Sequence, residues 1–242
     1  VKRMRPRPNE NVNGYWMCDH GRFSEDELNR SDRMEPAALR DDAGQLTAAD
    51  PVDALRVVRN LLSVQSQALF LASPYLTVEE GEALSKLARS CGTQAAFFSP
   101  EPNDLRDDVL HTGDPCPNQR GLQEAGLTPM GSEEWAAASS SADCVLLLGE
   151  RLLDMLGDEA LGALPPTQRL VVMECRASNH AAVDVAMGIP NRVERSGTWV
   201  NVDGTAGAIR AARSAPQGVR ALVELLADLT TTSGQPEEAL SS

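Results

Sequence analysis

The chain has no run of apolar residues near the ~20 that a helix needs to cross a bilayer, so it carries no helical membrane span. It also lacks a glycine-rich phosphate fingerprint. Neither GxGxxG nor GxxxxGK(S/T) follows any candidate strand, which leaves independent nucleotide binding without support. Its three histidines, His20, His111 and His180, stand far apart, with no zinc-type spacing and no Ser/His/Asp order on a recognisable elbow. They read as surface or turn residues. Basic residues are scarce, 22 against 35 acidic, for a net charge of −13. A surface of that sign repels phosphate backbones and anionic lipid, so neither nucleic acid nor direct membrane docking is expected. Lys2, Arg3, Arg5 and Arg7 are the local exception, read as a solvated strand face or an interface with a further domain.

What is present suits a folded protein. With 242 residues, 42% of them hydrophobic, one or two domains with real cores are expected. The opening on Val1, amid basic residues, reads as a piece of a longer protein starting mid-strand. No two of the five cysteines make a CxxC pair. Such an odd, scattered set is expected to be reduced and intracellular. Cys144 and Cys175 sit in apolar runs as core residues. Cys91 precedes Gly92 at a helix end, and only Cys18 and Cys116 lie in turn-rich surroundings.

Three regions follow from the pattern: 1–49, of short strands and turns; 50–229, alternating helix and strand; and a polar tail, 230–242, expected to be disordered. Asp41-Asp42-Ala43-Gly44 marks a hairpin or linker tip. Asp50-Pro51 starts a helix, and Thr77-Val78-Glu79-Glu80 predicts another through a capping box, ended by Gly92. Short apolar runs at 68–72, 94–98, 144–148, 170–173 and 183–186 read as strands buried on both faces of a parallel sheet. A further short strand is expected at 198–202 and a closing helix at 219–229. Strands alternating with helices imply an α/β fold, a parallel sheet with helices on both faces.

Cys18 carries the functional reading. It ends the hydrophobic stretch Asn13-Gly14-Tyr15-Trp16-Met17 in a tight turn closed by Gly21, where local backbone holds the thiol. A cluster needs three or four thiolates, so Cys18 would require ligands from elsewhere. The stretch resembles the last cysteine motif of the iron–sulfur domain in the molybdopterin-oxidoreductase superfamily. Val1-Lys2-Arg3, Arg5-Pro6-Arg7, Asn9, Val12-Asn13, Trp16 and Cys18-Asp19 resemble in particular the G-subunit family of bacterial NADH:quinone oxidoreductase, respiratory complex I. Further along, Ser31-Asp32-Arg33-Met34 with Pro36 and Leu39-Arg40 is similar to the family's linking segment. Pro117-Asn118 with Gly121 and Gly126, and Trp135 to Gly149, resemble its next units. Val183 to Gly188, then Glu194, Gly197-Thr198-Trp199-Val200-Asn201 and Gly204, are similar to its "ADVVLP" strand and "E-x-x-GT-x-x-N-x-E-G" pattern. Gly197 and Gly204 are expected to flank a strand whose backbone approaches a neighbour closely.

The resemblance implies a Rossmann-like sheet preceded by a small β-rich part of a 4Fe–4S domain. It implies Cys18 as one ligand of a 4Fe–4S cluster completed by cysteines upstream, and the other peripheral-arm subunits of complex I as partners. It implies, too, a peripheral location on the cytoplasmic face of a bacterial inner membrane. Two departures speak against a working pterin site, so no molybdopterin is expected. His20 replaces the usual lysine two positions after the last cluster cysteine, and the family's "EGRVQ" reads Asp203-Gly204-Thr205-Ala206-Gly207. Cys116 falls near the metal-ligating position of formate dehydrogenases, but a proline-flanked cysteine without supporting ligands reads as incidental. Three functions are carried forward: a pterin-free electron-transfer scaffold, a molybdenum or tungsten bis-pterin oxidoreductase such as a formate dehydrogenase, and a non-redox subunit-interaction module. The chain alone is not expected to turn over, and no catalytic residue is assigned.

Overall fold

A computed structural model describes residues 1–10, 13–64, 67–102, 113–177 and 182–231, with His20 by its main chain alone. His111, His180, part of the 99–118 loop and the tail from 232 lie outside the described residues. Two single-turn helices come first, α1 (Asp19–Arg22) and α2 (Glu25–Leu28), followed by strands β1 (Ala37–Arg40) and β2 (Leu46–Ala48). Then follow α3 (Pro51–Val64), β3 (Ala68–Ala72), α4 (Val78–Ser90), β4 (Ala96–Phe98), α5 (Gln119–Glu124), β5 (Thr128–Met130) and α6 (Ser132–Ser141). The chain continues through β6 (Cys144–Leu148), α7 (Leu152–Gly162), β7 (Arg169–Glu174), β8 (Val183–Gly188), β9 (Gly197–Val200), β10 (Ala206–Ile209) and α8 (Leu222–Thr231). No helix among the described residues is long and apolar enough to cross a membrane.

Eight strands form one sheet in the order β2-β1-β8-β7-β6-β3-β4-β5. The six from β3 to β8 are mutually parallel, and β1 joins β8 antiparallel. Numbered by sequence, the parallel six lie in the order 3-2-1-4-5-6, the doubly wound arrangement of Rossmann-type folds. The alternation of side chains along each strand separates two cores. Phe70, Leu146, Leu148, Val171 and Met173 face α3, α4, α5 and α8. Leu71, Val145, Leu147 and Val172 face Trp135 of α6 and Leu152 and Leu161 of α7. Helices therefore cover both faces, as the strand and helix alternation required.

Local chemistry explains most boundaries. Asp50 Oδ1 accepts from Val52 N at 2.7 Å ahead of α3. At α4 the capping box forms in full: Glu80 N donates to Thr77 Oγ1 at 3.2 Å, and Thr77 N donates to Glu80 Oε2 at 2.8 Å. Cys91 caps the far end of that helix, and Gly92 takes the left-handed conformation beyond it. Three features escape the sequence reading. The β1–β2 hairpin, turning through Gly44, extends the main sheet as its antiparallel edge. β5 contains Pro129, which an edge strand tolerates. β10 reads Ala-Gly-Ala-Ile, its first three residues of low strand propensity, and owes its conformation to pairing with β9.

Candidate functional site

In a sheet wound this way the strand order reverses between β3 and β6, and ligands of such folds sit in the crevice beyond the carboxyl ends of those strands. Here the chain itself bridges the two strand ends. Ser73 N donates to Leu148 O at 2.7 Å and Ser73 Oγ to Glu150 O at 2.6 Å, joining the two strand ends directly. A Cβ on Gly149 would lie 2.7 Å from Leu76 and 2.8 Å from Ser73, both buried, so the loops after β3 and β6 close on each other. The N-terminus of α4, the usual seat of a phosphate, is capped by Thr77 and Glu80, with Glu79 also in its first turn. Carboxylates at that place are the wrong sign for a phosphate.

Above the closed crevice lies a buried ionic network built by 191–195, the segment after β8. Glu150 accepts from Arg192 Nη1 at 2.5 Å and from Arg192 N at 2.5 Å. Arg195 lies 3.7 Å from Glu150 and 3.4 Å from Glu80, and its Nη2 donates to Tyr75 O at 2.6 Å. Glu194 accepts from Arg33 at 2.6 and 2.8 Å, from Arg213 Nε at 3.0 Å and from Asn191 N at 3.0 Å. Burial opposes ionisation of Glu194, but Arg33 and the Asn191 main chain outweigh it and hold the carboxyl below the usual range. Arg151, at the mouth of the crevice, is the one described non-glycine residue at positive φ (67°). Its guanidinium donates to Tyr75 Oη at 3.0 Å and stacks over that ring at 5.4 Å.

Glu174 ends β7 beside this network. Burial pushes its carboxyl up to about 8, the charge of Glu150 adds to that, and hydrogen bonds from Cys175 oppose it. Cys175 is pushed up in turn by burial and by Glu174. Cys116 is raised to about 12 by burial and Asp114, against a smaller pull from Arg151. Cys144 and Cys175 are buried in the core.

The sequence motifs meet here as staples. Arg33 and Glu194, from two separate motif segments, pair with each other. Asn118, fully buried, donates from Nδ2 to Leu76 O at 2.7 Å and accepts Val200 N on Oδ1 at 2.7 Å, tying the first strand-to-helix turn to β9. A Cβ on Gly121 would collide with that Oδ1. Gly197 allows close approach, since its Cβ would sit 2.6 Å from Thr77, and Gly204 adopts φ 92°. Glu79 accepts from Thr198 N at 2.9 Å and Thr198 Oγ1 at 2.8 Å. Sequence reasoning singled out Glu194, Gly197 and Asn118, and Glu80 only as a helix cap, but missed Glu150, Arg192 and Arg195. The available signal was a glutamate one glycine beyond the five-residue apolar run of β6, with two arginines flanking Glu194.

Cys18 lies apart from the crevice network's residues in sequence, at the N-cap of α1, half-buried, with Gly21 N donating to its Sγ at 3.4 Å. The turn read from the sequence is thus a single helical turn. A Cβ on Gly21 would stand 3.6 Å from Sγ. Among the described residues no group of three or more His, Cys, Asp or Glu side chains is placed to hold a metal.

No family model matches the chain. Over 79 residues it is 35% identical to the G subunit of the NADH-quinone oxidoreductase of Streptomyces coelicolor, a match that covers 32% of this chain and 9% of that protein. A solved structure titled "Substrate-directed dual catalysis of dicarbonyl compounds by diketoreductase" overlaps 69% of this chain and 62% of its own, at 14% identity and a TM-score of 0.30, below the level of a shared fold.

Proposed function

We propose that this chain is part of an electron-transfer subunit of an NADH:quinone oxidoreductase of the complex I kind, serving as a pterin-free scaffold. The observation that carries this reading is the 79-residue similarity to a G subunit of that enzyme, which the network at the strand ends supports from another side. A doubly wound sheet whose switch point is closed by Ser73, Leu76, Gly149 and Glu150 has given the usual cofactor place over to internal packing. What remains is a rigid body with charged surfaces for neighbouring subunits, and the partners proposed are other peripheral-arm subunits. The location proposed is the cytoplasmic face of a bacterial inner membrane.

Within this reading Cys18 is one ligand of a 4Fe–4S cluster whose other ligands lie outside this chain. Its chemistry fits: the thiol is half-buried at a turn, and the Gly21 N–H, hydrogen-bonded to Sγ, would stabilise a thiolate bound to iron. The cluster when bound stores one electron. Cys18 would hold one iron of it, with the Gly21 N–H steadying the sulfur.

The test is Cys18→Ser in the complete protein, read by iron content and by electron paramagnetic resonance. Loss of one cluster signal, with assembly into the parent complex retained, is expected. An unchanged set of cluster signals would remove the ligand role. Stoichiometric molybdenum or tungsten in the wild type would favour a bis-pterin oxidoreductase. An iron-free protein that still assembles would leave a pure interaction module.

A further inference from the structure

The β9–β10 hairpin stands outside the eight-stranded sheet, and among the described residues β10 is paired on one side only. Among the described residues, the main chain of Ala206–Ile209 makes no hydrogen bond except to β9. Alternate residues of an antiparallel strand turn their N–H and C=O away from the partner, so β10 presents open donors and acceptors along its free edge. A groove of about 590 Å³ lies against it, walled on the far side by Arg7, Pro8, Asn9 and Asn13. By register Trp199, Gly207 and Ile209 share one face of the ribbon. Ala206 and Ala208 point to the other face, yet they too line the groove. The groove therefore reaches around to the main chain of the strand's edge, where small side chains leave it open.

We propose that this groove receives an extended segment of a partner protein, added as a third strand on β10, with a carboxylate of that segment meeting Arg7. Strand addition draws affinity from main-chain hydrogen bonds and specificity from alternate side chains. Arg7 is the one ionisable residue lining the groove, is exposed, and has no ion-pair partner among the described residues. The charge also bears on the occupant: β10 of another copy, Ala-Gly-Ala-Ile, has no carboxylate to offer Arg7, which disfavours a second copy. Four residues of β10 span roughly 13 Å, enough to hold a short segment in register. This inference stands without any cluster at Cys18.

The probe is a capped peptide of alternating threonine and valine with one central glutamate, titrated into the full chain while amide hydrogen exchange is followed residue by residue. Saturable binding with slowed exchange across Ala206–Ile209 is expected. Arg7→Glu should weaken it about fivefold, the scale of an exposed ion pair, and so should lysine in place of the peptide's glutamate. Methylating the amides along one edge of the peptide should abolish binding. Exchange at Ala206–Ile209 that stays unchanged at millimolar peptide would overturn the proposal, as would binding indifferent to both charge changes. A concentration-dependent dimer that protects β10 without peptide would overturn it in favour of a second copy.

Discussion

A glutamate that ends a buried strand, as Glu174 does, has a stability consequence whose sign is fixed. Its folded value, about 8, lies above the ordinary 4.5, so between those values the folded state holds a proton that the unfolded chain has lost. The favourable contribution is complete below pH 4.5 and is lost as pH rises through about 8, a change on the order of a few kcal/mol. Glu174→Gln should flatten the dependence of the unfolding free energy on pH between 5 and 8, as read by urea titration at each pH. A slope equal to the wild type's would mean that the carboxyl is already ionised in the folded protein. Glu150, nearby, is held in ion pairs with Arg192 and Arg195. Glu150→Ala would leave Arg192 only the part-exposed Glu27 and Arg195 only Glu80 as carboxylate partners, and should cost about 3 kcal/mol. Replacing Glu150 and Arg192 together by apolar residues should cost clearly less than the sum of the two single changes, which a double-mutant cycle would measure.

Among the elements, β9 is secured to the first strand-to-helix turn by few bonds, and Asn118 makes two of them. Asn118→Ala leaves Leu76 O and Val200 N buried without that partner, a loss of about 1–3 kcal/mol for each group stranded. Because the hairpin lies outside the main sheet, the change should raise amide exchange in β9 and β10 far more than in β3 or β6. Equal acceleration in all four strands would show that the hairpin and the sheet open as one unit. Gly197→Ala tests the same joint by volume, since the added methyl meets the side chain of Thr77. It should loosen the hairpin in the same exchange experiment.

Across the molecule, the charge balance and the individual carboxylates set one optimum. Burial raises Glu194 and Glu79, but their hydrogen-bond partners outweigh it and hold both below the ordinary range. Their contribution is present above the unfolded value and is lost as pH falls through the folded one. Glu174 acts in the opposite sense above pH 4.5. The net charge of −13 adds self-repulsion toward neutral and alkaline pH. The thermal midpoint should therefore be highest on the acid side of neutrality, near pH 5, and decline toward pH 8. Added salt should recover part of that decline by screening. A midpoint that climbs steadily from pH 5 to 8 would contradict this balance.

Strands β3, β6, β7 and β8 were legible in the order of residues, because their side chains are buried on both faces and must be apolar without interruption. So were the capped starts of α3 and α4, because a cap is a contact between residues two or three apart. What happens across long separations was settled only when the chain folded. Glu150 meets Arg192, Arg33 meets Glu194, and Asn118 bridges Leu76 to Val200. No local period signals such pairs. Nor could composition assign Ala206–Ile209 to a strand or attach the β1–β2 hairpin to β8. Those conformations are stabilised by the neighbour that supplies the hydrogen bonds, and the neighbour is chosen by the fold.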